Sequence, residues 1–176
     1  MTLLYSSQNE QDSRYYAKLS SLPMLEPSSI QEAKDMTRYA FNLSEGLGIP
    51  VILRTTTRIN HGSGVVSLGL LEKRTLKGSF LKNPFVYVCT PSVSRHLHPK
   101  LLEKAAKAAD IANKSRWNLI EGRGPLGVVC NGVSYGYVVD AISESGHMDR
   151  FRVLRLGFSH PIPEERVIRF LKGCEK

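Results

Sequence analysis

Apolar and polar positions in the first third of the chain change from a helical to an extended period. Asn9–Leu19 has the length and composition of a short helix, and Leu22-Pro23-Met24-Leu25 reads as a short extended segment closed by Glu26-Pro27. Ser29-Ile30-Gln31-Glu32 is a capping box, in which the Ser29 hydroxyl and the Glu32 carboxylate can take backbone N–H groups that the first helical turn leaves free. Ala33, Met36, Ala40, Phe41 and Leu47 follow at helical spacing, and Gly46 and Gly48 supply the stop. Val51-Ile52-Leu53 predicts a buried strand running into the polar Arg54-Thr55-Thr56-Thr57-Arg58. Strand, helix, strand is the unit of a parallel α/β sheet.

Residues 71–83 lose this periodicity among Glu72, Lys73, Arg74, Lys77, Gly78 and Lys82 and are expected to be a linker. Residues 1–70 and 84–176 are the expected domains. In the second, Phe85–Cys89 predicts a strand, and Pro99 is placed to open a long helix with Leu102, Ala105, Ala109 and Ala112 on its inner face. Leu126–Cys130 predicts a second strand, Asn131-Gly132 a turn, and Ser134–Ser143 a helix capped by Ser134. Phe151–Leu156 is the third expected strand. Pro163-Glu164-Glu165 opens a last helix with Val167, Ile168 and Leu171 inward and Gly173 as its stop. The fold class expected is α/β, in two lobes with mainly parallel sheets. Another strand is due after the last helix, and no strand supports the first one. The sequence therefore reads as a fragment of something larger.

Composition narrows the function classes. The 176 residues are 41% hydrophobic, with 24 Lys and Arg against 16 Asp and Glu, which suits one medium domain or two small incomplete ones. No apolar run approaches the roughly 18 residues of a membrane span, and the N-terminus lacks the apolar core of a signal peptide. Cys89, Cys130 and Cys174 form no CxxC pair, so the expectation is three free thiols in a reducing cytoplasm, without zinc or iron–sulfur ligation. The net charge of +8 is spread along the chain, and Glu103/Lys107 and Asp110/Lys114 have the spacing of a solvated helix face. Nucleic-acid binding is not expected; an acidic protein partner is compatible with the charge.

Local motifs are few. Gly132-Val133-Ser134-Tyr135-Gly136 is a GxSxG between a strand and a helix, with Asp149 and His160 following in the order of a hydrolase triad. Only 42 residues follow Ser134, too few for the strands that carry a hydrolase acid and histidine, and the same residues suit a turn followed by a cap. A small serine hydrolase using Ser134 is thus the outside reading. His61, His96, His98, His147 and His160 form no helical ligand pair. No GxGxxG, no GxxxxGK[ST] and no Gly-Asp-Gly with a following Asn, the pattern that holds a magnesium diphosphate, is present.

The ordered combination of segments says more. The polar string Ser6-Ser7-Gln8-Asn9-Glu10-Gln11-Asp12-Ser13-Arg14 precedes Tyr15-Tyr16, Pro23-Met24-Leu25-Glu26-Pro27, the capping box and Arg54-Thr55-Thr56-Thr57-Arg58-Ile59-Asn60-His61. HPKLLEKAAKAADIA, GPLGVVCNGVSYGYVVDAI and VLRLGFSHPIPEERVIRFL follow. Together these cover nearly the whole chain. They resemble the large, thiamine-diphosphate-binding subunit of the indolepyruvate type of 2-oxoacid:ferredoxin oxidoreductase.

The resemblance implies oxidative decarboxylation of aryl 2-oxoacids to acyl-coenzyme A, with ferredoxin as electron acceptor. It implies that residues 1–70 are the C-terminal part of a thiamine-fold pyrimidine-binding domain and 84–176 a transketolase-C-like docking domain. Ser7, Gln8, Asn9, Gln11, Asp12, Arg14, Arg54, Thr56 and Arg58 would lie on active-site-facing loops. The family's cofactor-activating glutamate belongs upstream, and Glu10 is not at its position; the magnesium-diphosphate and iron–sulfur segments belong downstream. The expectation is therefore no cofactor in this chain alone, with thiamine diphosphate, magnesium and iron–sulfur clusters in the complete enzyme. The partners implied are complementary domains or a second subunit, with ferredoxin and coenzyme A. A non-catalytic docking module left from such a subunit is the alternative.

Overall fold

The polar-to-apolar switch at Ser13 and the capping box at Ser29 each start a helix in the computed structural model, which describes residues 12–69 and 78–176. Arg14–Ser20 is α1, Met24–Leu25 is β1 and Ile30–Leu47 is α2. The Ser29 hydroxyl accepts the Glu32 N–H at 3.2 Å, while the Glu32 carboxylate takes the N–H of Ser28, one residue earlier than a standard box, at 2.8 Å. Met36, Ala40, Leu43 and Leu47 form the buried stripe of α2. Phe41, expected inward, is 72% exposed; Leu43 holds the inner position instead. Gly48 ends the helix at φ +61°, a conformation that suits glycine.

Ile52–Leu53, β2, lies parallel to β1, with Met24 beside Ile52 and Leu25 beside Leu53. Thr57–Asn60 is the short α3. The following segment returns across α2, where the Ser67 N–H donates to Gln31 Oε1 at 2.8 Å and Lys34 Nζ donates to the Ser67 carbonyl.

The expected strand at Phe85–Cys89 is instead a single helical turn, α4, Pro84–Tyr87. Asn83 caps it by accepting the Phe85 N–H at 3.1 Å, and Pro84 fits the first helical position. The next helix, α5, runs Pro91–Lys114, so it starts at Pro91 and carries Pro99 inside it. Its inner face is Ala108 and Ala112 with Ile111 beside them, whereas Leu102 is half-exposed, so the buried stripe is turned from the one expected. Glu103, Lys107, Asp110 and Lys114 are all exposed, as their spacing suggested.

Leu119–Gly122 (β3), Leu126–Asn131 (β4), Ser134–Glu144 (α6), Phe151–Leu156 (β5), Phe158–His160 (β6) and Glu164–Lys172 (α7) complete the described chain. Strands β3-β5-β4 form one sheet, with β4 parallel and β3 antiparallel to β5. Strands β2-β1-β6 form the other, so a strand from the C-terminal part completes the first sheet. The architecture is the expected α/β, and each small sheet contains one parallel and one antiparallel pair. The outer edge of β4 meets the last residues: Glu175 N–H donates to the Pro125 carbonyl at 2.9 Å and Gly127 N–H to that of Lys176 at 2.7 Å.

The larger core joins Leu25, Met36, Ala40, Leu43 and Leu47 to Ala108, Ala112 and Phe158. A smaller one places Phe170 of α7 on Leu154 and Leu156, with Val167 alongside. Ile168 and Leu171, expected inward, are half-exposed; Phe170 and Val167 face the sheet. Asn118 is fully buried where these parts meet. Its Oδ1 accepts the Gly157 N–H at 2.9 Å and the Phe158 N–H at 3.4 Å, and its amide donates to the Ala112 carbonyl at 2.7 Å.

Candidate functional site

Parallel β1 and β2 end side by side, and the residue after each is charged and buried: Glu26 after β1 and Arg54 after β2. A charge taken out of water costs several kcal/mol unless it is paired and hydrogen-bonded. Here both conditions are met. Arg54 Nη1 bonds Glu26 Oε1, while Glu26 Oε2 accepts from Ser159 Oγ at 2.6 Å and from Asn131 Nδ2 at 3.1 Å. The carboxylate thus ties four strands together: Arg54 follows β2, Asn131 ends β4 and Ser159 lies in β6. Gly132 has φ +51°, and a Cβ there would stand 2.6 Å from Glu26 Oε1. The turn after Asn131 therefore needs glycine both for its backbone conformation and for the close approach of the carboxylate.

Arg54 also reaches outward, its Nε donating to Ser13 Oγ at 3.1 Å. Beside Ser13, Arg14 grips Asp12 through its guanidinium, with Nε to Oδ1 at 2.8 Å and Nη2 to Oδ2 at 2.7 Å, and through its backbone N–H to Oδ1 at 3.1 Å. These bonds, helped by the nearby charge of Arg54, hold the Asp12 carboxyl down at about 2. Because its folded value lies below its unfolded one, Asp12 contributes stability that is present above the ordinary carboxylate range and lost as pH falls from about 4 to about 2. Asp12→Asn is expected to remove that acid-side dependence, and melting curves between pH 5 and pH 2, read against wild type, test it.

Of the residues expected at the site, Asp12, Arg14 and Arg54 converge. Ser7, Gln8, Asn9 and Gln11 lie outside the described residues. Thr56 is buried, its hydroxyl without a hydrogen-bond partner among the described residues. Arg58 lies elsewhere, its guanidinium 5.3 Å from the Tyr137 ring centre, where it lines an open cleft of about 600 Å³ with Thr57, His61 and Gly62. Glu26, Asn131 and Ser159 were not among the expected site residues. The one local signal for Glu26 is a lone carboxylate placed between Met24-Leu25 and Pro27.

A second polar group joins α2 to the other sheet. Arg155 Nη1 bonds Glu32 Oε1 at 3.0 Å and Ser28 Oγ at 2.8 Å, and its guanidinium lies 4.6 Å from the Tyr135 ring centre. Tyr135 donates to Glu121 at 2.5 Å, and burial together with that carboxylate pushes its phenol up to about 12. Ser134, expected to cap α6, is instead its first helical residue; Val133 occupies the cap position, with no side-chain bond. Among the described residues no hydrogen bond links Ser134 to His160 or Asp149. Ser134→Ala is therefore expected to change stability by less than about 0.5 kcal/mol, not the ~1 kcal/mol of a lost cap, as urea unfolding will measure.

Among the described residues no three His, Cys, Asp or Glu side chains converge as a metal site. Cys89 is exposed and Cys130 and Cys174 are half-buried, all three free. The described residues do not fit a magnesium diphosphate or an iron–sulfur cluster.

No family model matches the chain. Indolepyruvate oxidoreductase subunit IorA of Pyrococcus horikoshii is 45% identical to it over 180 residues, 98% of this chain and 28% of that protein. The subunit of the same name from Methanothermobacter thermautotrophicus is 42% identical over 176 residues, with the same two coverages. In structure the chain is similar to a 2-oxoglutarate:ferredoxin oxidoreductase from Magnetococcus marinus, solved with 2-oxoglutarate, coenzyme A and succinyl-CoA bound. That TM-score is 0.55 at 15% identity, covering 88% of this chain and 34% of the other, a likeness of fold. The chain spans little more than a quarter of the length of the curated relatives it matches. Over nearly its whole length, the chain is similar in sequence to one stretch of the indolepyruvate oxidoreductase subunits IorA.

Proposed function

We propose that this chain is a working part of a thiamine-dependent 2-oxoacid:ferredoxin oxidoreductase that converts aryl 2-oxoacids of the indolepyruvate class to acyl-coenzyme A. The observation that carries the reading is 45% identity to an IorA subunit across 98% of the chain. In this reading the first segment, residues 1–70, contributes the end of a pyrimidine-binding domain, and residues 84–176 contribute a transketolase-C-like docking domain. Thiamine diphosphate, magnesium and iron–sulfur clusters, held by complementary domains, supply the electron sink for decarboxylation and single-electron transfer.

This chain's own part is to shape one wall of the site. Strand C-termini are where α/β sheets bind ligands. The Glu26–Arg54 pair fixes those ends, and the Asp12–Arg14 pair braces the start of α1 next to Ser13, which Arg54 also contacts. Arg54 is held in one position because its partner carboxylate is itself locked by Ser159 and Asn131. Such a preset frame holds a substrate's charged end without reorganising during the reaction.

The 176-residue chain alone is expected to show no indolepyruvate- and coenzyme A-dependent reduction of ferredoxin. Addition of the remaining domains of an IorA subunit and its partner subunit is expected to bring the activity up. An active chain by itself, or a folded mixture in which this chain changes nothing, would count against the proposal. The docking-module alternative, favoured by the exposed apolar turn of α4, predicts a complex without gain of activity.

A further inference from the structure

We infer that the turn around α4 is a docking surface for the complementary domains of the large subunit, and that the matching face on those domains is apolar with a rim of carboxylates. This rests on the proposed function above and adds to it the place and the chemistry of the contact.

The turn is built rather than frayed. Asn83 caps it, Pro84 starts it, and the rings of Phe80 and Tyr87 lie 5.3 Å apart across it. Yet every residue from 78 to 92 is exposed. Phe80, Leu81, Phe85, Val86, Tyr87 and Val88 are between 48% and 83% exposed, two of them 76% and 77% exposed phenylalanines. At 150–250 Å² for each fully buried aromatic, covering these six side chains removes on the order of 800 Å² of this chain's surface from water. That is about one side of a standard stable interface, and more than a solitary monomer leaves open without a partner.

Charge selects the occupant. Between Glu72 and Glu103 the sequence has no acidic residue, but it has Lys73, Arg74, Lys77, Lys82, Arg95 and Lys100. Of these, Lys82 just before the turn and Arg95 and Lys100 on the following helix α5 are exposed. A second copy would bring the same cations face to face, which disfavours self-association here. Relatives at 42–45% identity carry the matching stretch within polypeptides more than three times as long, so the remainder of the subunit is held next to it in the same molecule. Apolar surface of this kind suits such a permanent contact.

Cys89 is a built-in reporter. It is exposed at the end of the turn, whereas Cys174 is half-buried and burial pushes the Cys130 thiol up. Maleimide should therefore label Cys89 first. The test mixes the intact 176-residue chain with the Pyrococcus horikoshii IorA subunit from which the matching stretch has been deleted. Labelling of Cys89 is expected to slow by about tenfold or more in the complex, and added salt is expected to weaken the complex. Phe85→Asp and Lys82→Glu are each expected to loosen it about tenfold or more while leaving the chain's own melting unchanged, since both side chains touch solvent. As a check independent of the deletion, the matching segment in the intact Pyrococcus subunit is expected to resist hydrogen exchange that this chain permits. A complex in which Cys89 stays reactive overturns the docking assignment alone. No complex, with fast exchange in the intact subunit, overturns both it and the proposed function. Protection of Cys89 that instead follows chain concentration, or addition of phosphatidylserine vesicles, gives the surface to a second copy or to lipid and overturns it as well.

Discussion

Glu26→Ala is expected to destabilise the fold by about 3–5 kcal/mol, because Arg54 would remain buried with no carboxylate to answer it. Ser159 and Asn131 would lose their shared acceptor in the same step. For a chain of this size the loss corresponds to a fall in melting temperature of roughly 6–20 °C. Glu26→Gln keeps an acceptor for Ser159 but leaves Arg54 uncompensated, so it should fall between wild type and Ala. The double variant Glu26→Leu with Arg54→Met should recover most of the loss, since an apolar pair replaces a buried ionic one at little cost. Urea unfolding of the four proteins decides the matter. A Glu26→Ala variant within about 1 kcal/mol of wild type would show that the pair is solvated in solution.

Asn118→Ala is the second large effect. Truncation leaves the Gly157 and Phe158 N–H groups and the Ala112 carbonyl without the side chain that serves them in the interior. The Ala112 carbonyl keeps the Ser115 N–H, so two N–H groups are orphaned at about 1–3 kcal/mol each, and a total of about 2 kcal/mol or more is expected. The loss should be local before it is global. Hydrogen exchange at Gly157 and Phe158 is expected to accelerate ahead of the strands β3, β4 and β5. Uniform acceleration across the chain would instead mean that Asn118 supports the whole fold evenly.

The sequence disclosed those elements whose signals are local. Helix α2 was readable from Ser29, Glu32 and Gly48, because a cap, a periodic face and a stop all agree there. Strands β1, β2, β4 and β5 were readable as apolar runs. Phe85-Val86-Tyr87-Val88 misled because its side chains are those of a strand, while Asn83-Pro84 ahead of it carries the helix-start signal that prevailed. Thr90-Pro91 opens α5 where Pro99 was expected to, and its buried stripe runs through Ala108, Ile111 and Ala112 because these small and apolar residues meet α2. Strands β3 and β6 had no pattern to show: Leu119–Gly122 is exposed throughout, and Phe158–His160 is three residues long. The site divides in the same way. Arg54 could be expected at a strand end from its place after Val51-Ile52-Leu53. Asn131 and Ser159 could not, because they reach Glu26 from 105 and 133 residues away and no local spacing encodes such a meeting.

The position of β6 in the first sheet has a consequence for how the chain is made. Strand β1 is made well before its antiparallel neighbour, which follows more than a hundred residues later. At 5–20 residues per second, the 133 residues separating Ser159 from Glu26 take roughly 7–27 s to translate. Through that interval Met24, Leu25 and the inner stripe of α2 lack Phe158, and Glu26 lacks Ser159. Pairing at such separation is also slow once it becomes possible, because a long loop must close before any contact rewards it. The segment carrying β1 and α2 thus waits, its apolar stripe uncovered and Glu26 lacking one of its hydrogen-bond donors, as a natural client for chaperones until β6 has been made.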